Sequence, residues 1–133
     1  MKLSFSTKGW HNSTFDDFCA IAKDLKFQGI ELHNIHNRLF TDKDISIAKN
    51  LKIPAVRVRA IGDGNTDASF ACAEAIIRTL LPEAEKANIS ILVETSGIFC
   101  DTARLLQLLN TFACDNLAAL WDMYSTYFIG HED

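Results

Sequence analysis

The run Ile91-Leu92-Val93-Glu94-Thr95 (ILVET, residues 91–95) decides the reading of this chain. Successive strand side chains point to opposite sides, so Ile91 and Val93 make a dry face opposite the face that carries Glu94. Four other runs repeat the pattern. KLSFST (2–7) sets Ser4 and Ser6 against Leu3 and Phe5, and GIELH (29–33) sets Glu31 and His33 against Ile30 and Leu32. AVRVRA (55–60) sets Arg57 and Arg59 against Val56 and Val58, and LAALWD (117–122) ends on Asp122. A strand with one dry face and one chemically equipped face suits a sugar or metal site on a parallel sheet. It equally suits a half-exposed sheet.

Between these runs lie helical patterns, so the chain alternates strand and helix as βαβ units do. Ser13 with Asp16 predicts the cap of a first helix bearing Phe15, Phe18, Cys19, Ala22 and Leu25. Thr41 with Asp44 repeats the arrangement before Ile45, Ala48 and Leu51. A longer helix is predicted from about Asp67 to Ala87, kinked or divided at Pro82, with Asn88 as its stop. Asp101 caps a leucine-rich helix. Strand starts fall near residues 2, 29, 54, 90 and 116, which predicts five units in one domain spanning residues 1–133.

Composition bounds the function classes. A net charge of −4, with scattered Lys and Arg apart from Arg57 and Arg59, argues against a nucleic-acid surface. No run approaches the roughly 18 apolar residues of a membrane span, and the N-terminus shows no signal-peptide core. Cys19, Cys72, Cys100 and Cys114 lie far apart without a C-x-x-C pair. They read as reduced, mostly helix-packed thiols of a cytoplasmic protein.

In order and spacing, LSFSTKGW, DLKFQGIELH, IPAVRVRA, LVETSG, DTARLLQLL and LAALWDM resemble the xylose isomerase-like TIM barrel family of sugar phosphate isomerases and epimerases. Its barrel has eight strands in roughly 250 residues. Set against that order, the five runs match strands one, two, four, five and six. A single short helix, Thr41 to Leu51, fills the interval where the family has helix, strand and helix. The resemblance thus implies an α/β fold, a parallel five-stranded (βα)5 partial TIM barrel. Such a sheet cannot close alone and leaves open edges. A homodimer that covers them is the leading expectation, with Met123 to Ile129 in the interface. The alternative is an open flavodoxin-like sheet.

The resemblance also implies a site. Family members hold a divalent metal by carboxylates and a histidine at strand ends, and Glu94 and Asp122 match the first two ligands. Where the family often has a histidine three residues after that aspartate, this chain has Ser125. Two carboxylates plus water would hold Mn²⁺, Mg²⁺ or Zn²⁺ weakly. In a working member the metal polarises a sugar carbonyl while a carboxylate moves the neighbouring proton. The expected site is therefore Glu94 and Asp122 as catalytic and metal residues, with His33, Arg57, Arg59 and Trp10 contacting a small sugar or sugar phosphate. His11 and His36 lie near the same loops.

Each residue also has a plainer reading. Arg57 and Arg59 would neutralise Glu31, Glu94 and Asp122 across the sheet, and Trp10 and Trp121 would pack in a core. The expected function is that of a sugar phosphate isomerase/epimerase-like protein with an incomplete metal site and weak or no activity. The alternatives are a non-catalytic oligomeric barrel remnant, or one half of a split enzyme.

Overall fold

The computed structural model describes residues 3–8, 10, 12–31, 42–59 and 67–132. The chain divides into two compact units, Met1–Leu39 and Phe40–Asp133. It is α/β, and all of its described strand pairs are parallel.

In the first unit, strand β1 (Ser4–Ser6), helix α1 (Phe15–Asp24) and strand β2 (Gly29–Glu31) form one βαβ turn. Ser4 pairs with Gly29, Phe5 with Ile30 and Ser6 with Glu31. Thr14, one residue later than the sequence suggests, caps α1. Its hydroxyl accepts the Asp17 N–H at 3.2 Å, and Asp17 accepts the Thr14 N–H at 2.7 Å. The segment Ser13-Thr14-Phe15-Asp16-Asp17 satisfies the capping-box pattern in two frames, so spacing alone cannot choose between them. Phe5 gathers Phe27, Trp10 and Phe18 at ring distances of 5.3, 6.1 and 6.4 Å. These rings are the apolar heart of the unit.

The second unit runs α2 (Asp42–Asn50), β3 (Ala55–Val58), α3 (Asp67–Ala87), β4 (Ser90–Glu94), a 3₁₀ turn (Gly97–Cys100), α4 (Thr102–Phe112), β5 (Leu117–Leu120) and a π-type turn (Ser125–Ile129). Its sheet order is β3-β4-β5. Val56 pairs with Ile91, which pairs in turn with Leu117. As the alternation predicts, Ile91 and Val93 are buried with Val56 and Leu117. They pack with Ile45 and Ala48 of α2, Ile77, Leu80, Leu81 and Ala84 of α3, and Leu105 and Leu108 of α4. Each such aliphatic side chain contributes about 1.5–3 kcal/mol on burial.

Here the expected five-stranded sheet, whether partial barrel or open flavodoxin-like sheet, is corrected. The strands form a two-stranded and a three-stranded sheet, and among the described residues no ladder joins β2 to β3. The predicted Thr41 and Asp44 cap lies outside the described side chains. Pro82 does not divide α3, which runs unbroken for 21 residues. The stripe Ile77, Leu80, Leu81, Ala84 stays buried on both sides of it, and that packing offsets the roughly 3 kcal/mol a mid-helix proline costs. Cys19 and Cys72 are exposed rather than helix-packed.

The helices end alike. Lys26, Lys52, Asn88 and Ala113 follow α1, α2, α3 and α4 with positive φ. After the first three, the next N–H reaches back five residues: Phe27 to the Ala22 carbonyl, Ile53 to Ala48 and Ile89 to Ala84, at 2.8, 2.8 and 2.9 Å. This is the Schellman closure. Each time, its apolar residue leads the chain into the next strand.

Candidate functional site

Parallel sheets of α/β proteins present their working groups at the carboxyl ends of the strands. Glu94, Thr95, Ser96, Ser125 and Thr126 are buried, and all lie at or beyond the ends of β4 and β5. Burying so many polar groups together is tolerable only when their hydrogen-bonding atoms are matched.

Glu94 is the centre of the cluster, with its side chain only 7% exposed. The parallel register sets Arg57 opposite Leu92, two residues before Glu94 on the same face. Arg57 Nε makes an ion pair with Glu94 Oε2. Arg59, just past the end of β3, brings its Nε within 3.3 Å of Glu94 Oε1. The same Nε donates to Ser96 Oγ at 3.2 Å. Both carboxylate oxygens of Glu94 therefore face guanidinium groups, which is the pairing the sequence offered as the plainer role of the two arginines. The Arg59 side chain is 46% exposed.

Asp122 is held differently. Its Oδ2 accepts the Ser125 hydroxyl at 2.9 Å. Its Oδ1 accepts the Tyr124 N–H at 3.0 Å and the Ser125 N–H at 3.5 Å. The carboxylate thus caps the helical segment that follows it. The Ser125 hydroxyl most of all, with the two N–H groups and the Arg57 charge, lowers the Asp122 pKa below its ordinary value against the opposing effect of burial. Thr95 ties the carboxylates' strands together: the Asp122 N–H donates to its Oγ1 at 2.7 Å.

The turn beyond Asp122 is of the π type, a rare geometry that often marks functional sites. It closes through the Gly130 N–H on the Ser125 carbonyl at 2.9 Å. Gly130 also presses against the Cys100 backbone, where a Cβ would overlap the Cys100 carbonyl oxygen and lie 2.8 Å from the Thr126 carbonyl oxygen. Glu132 then turns back to accept the Thr102 N–H at 2.7 Å and the Thr102 hydroxyl at 2.9 Å at the start of α4. Cys100 lies in the same neighbourhood. Burial first, and the Asp122 charge with it, raise its thiol pKa against opposing hydrogen bonds, which leaves it a poor nucleophile.

The structure thus brings together Arg57, Arg59, Glu94 and Asp122. Trp10 belongs to the first unit, packed on Phe5 and Phe18 at 6.1 and 6.2 Å. His33, His11 and His36 lie outside the described residues. Thr95, Ser96, Thr126, Cys100 and Glu132 were missed from the sequence. For Thr95 and Ser96 a signal existed: two hydroxyls directly follow a strand-end acid.

Guanidinium, amide and hydroxyl donors face all four oxygens of the two carboxylates. Among the described residues no group of three or more His, Cys, Asp or Glu converges. No described helix is long and apolar enough to cross a membrane.

The fold and site together define an α/β protein with two arginines around a buried glutamate at the carboxyl ends of a parallel sheet. Compared with known proteins, the chain matches no family model and no curated protein.

Proposed function

We propose that this chain is a sugar phosphate isomerase/epimerase-like protein whose strand-end carboxylates serve arginine pairing and capping rather than metal chemistry. It binds a small phosphorylated or carboxylated sugar through Arg59 and turns it over weakly or not at all. The observation that carries this is the double engagement of Glu94 by Arg57 and Arg59. Glu94 orients Arg59 by its Nε, and the outward guanidinium nitrogens of Arg59 are suited to forked hydrogen bonds with an oxyanion.

One feature supports the kinship with the isomerase-like barrels: Glu94 ends β4, and Asp122 lies just beyond the end of β5. A second reading, a non-catalytic structural domain, is favoured by the fact that every oxygen of both acids already has an internal partner.

Calorimetric titration with a panel of keto- and aldo-sugar phosphates, with and without Mn²⁺, separates these readings. The expected result is metal-independent binding that Arg59→Ala abolishes, with little solvent deuterium entering the sugar. Mn²⁺-dependent turnover lost in Glu94→Ala would restore the metal mechanism. Absence of binding to every member of the panel would favour the structural domain.

A further inference from the structure

Among the described residues of the second unit, most of the exposed large apolar side chains lie in the segment after β5. Trp121, Met123, Tyr124, Tyr127, Phe128 and Ile129 are each between 57% and 68% exposed. Three of these rings form a raft, with Tyr124 and Tyr127 at 5.0 and 4.9 Å from Phe128. This is no frayed tail. The Trp121 indole N–H donates to Thr126 Oγ1 at 3.0 Å, Asp122 caps the turn, Gly130 packs on Cys100, and Glu132 anchors the far end to α4. The hydroxyls of Ser125 and Thr126 point inward and the large apolar side chains outward.

We infer that this aromatic face pairs with the same face of a second copy of the chain about a two-fold axis. Area is the first reason. Large aromatic side chains bury about 150–250 Å² each. Six large side chains at this exposure offer on the order of 700–800 Å², close to one partner's share of a standard interface. Composition is the second. Trp, Tyr, Phe and Met are the residues enriched at interface cores, where charged residues are depleted. Charge is the third. Asp122 is the only charged residue from Leu117 to Gly130, and its oxygens are turned onto Tyr124 and Ser125. A strongly charged partner would find no counter-charge here, whereas a copy of the same face brings no like charge against it. An isologous contact needs only a self-complementary patch.

Because each chain carries a net charge of −4, pairing sets two acidic bodies side by side. Salt screens that repulsion, so association strengthens as salt rises.

Sedimentation velocity on the full chain at micromolar concentration tests this. The expected result is a dimer that tightens with salt. Phe128→Lys weakens it about tenfold or more, as loss of a central aromatic anchor does. Leu106→Lys, at an exposed position on α4 outside the raft, leaves it intact. Both variants keep the wild-type far-ultraviolet dichroism. Mixing Tyr124→Lys with Tyr124→Glu restores a dimer that neither forms alone. A monomer throughout the micromolar range overturns the inference, as does a dimer indifferent to Phe128→Lys. So does a chain that associates only with a different protein.

Discussion

Arg57 and Glu94 face each other from adjacent parallel strands, and the guanidinium Nε of one closes on a carboxylate oxygen of the other inside a mostly buried cluster. Removing one partner of such a pair leaves an uncompensated charge, at a cost of about 3–5 kcal/mol. Replacing both with apolar residues of similar size is often neutral. Arg57→Met and Glu94→Leu are each expected to lower stability by at least 2 kcal/mol in urea denaturation. The double variant is expected to recover most of that loss. Additive losses in the double variant would show that the two residues are not coupled.

Asp122 sets the acid limit of the turn it caps. Its pKa is lowered in the folded chain, chiefly by the Ser125 hydroxyl. A carboxylate depressed by folding adds stability that is complete above its unfolded value and is lost as pH falls through the lower folded value. The Trp121 to Gly130 segment is therefore expected to loosen as pH falls below the ordinary carboxylate value of 3.8. Trp121 fluorescence and urea midpoints follow this directly. Asp122→Asn should lower the midpoint at neutral pH, yet differ little from the parent in strong acid. Ser125→Ala should raise the pH at which the change occurs. A pH profile unchanged by both substitutions would remove the cap from this account.

The legible and illegible parts of the chain divide along physical lines. Alternation in ILVET and AVRVRA marked the dry face and set Arg57, Arg59 and Glu94 opposite it, because a two-residue period is a local property of strands. Asn88 as a helix stop and Asp101 as a cap were legible for the same reason. Asp101 Oδ1 accepts the Ala103 N–H at 3.0 Å. Strand pairing was not legible. That β1 and β2 share one ladder while β3, β4 and β5 share another rests on long-range pairing that no local pattern encodes. The Glu132 contact on Thr102 spans 30 residues and leaves no signature in either segment. The Ser125 hydroxyl's bond to the Asp122 carboxylate was hidden too, since it forms only in the turn after β5.

Gly130 is fixed by proximity rather than by its backbone angle, which any residue can adopt (φ −76°). A methyl group there would meet the carbonyl oxygens of Cys100 and Thr126, and both are backbone atoms that cannot swing away. Gly130→Ala gains helix propensity in principle, but overpacking of this kind costs about 1–3 kcal/mol. The expected outcome is a net loss of stability, with the Trp121 signal changing before the main unfolding transition. If association through the aromatic raft holds, the same substitution weakens it. Unchanged stability would mean that the chain end does not sit against the 3₁₀ turn.

The four left-handed residues after the helices give a ranked test of stability. A non-glycine residue in this region costs roughly 1–2 kcal/mol, and asparagine tolerates it better than most. Glycine relieves that strain but adds about 0.5–1 kcal/mol of unfolded-chain entropy. Ala113, at φ 44°, has no polar side chain to offset the strain. Ala113→Gly is therefore expected to stabilise most, by about 0.5–1 kcal/mol. Lys52→Gly should follow, at φ 56°, and Asn88→Gly should change least, at φ 55°. Urea midpoints at fixed pH read the order directly. A destabilised Ala113→Gly, or an Asn88→Gly gain larger than the other two, would mean that these helices do not end in the left-handed turn described above.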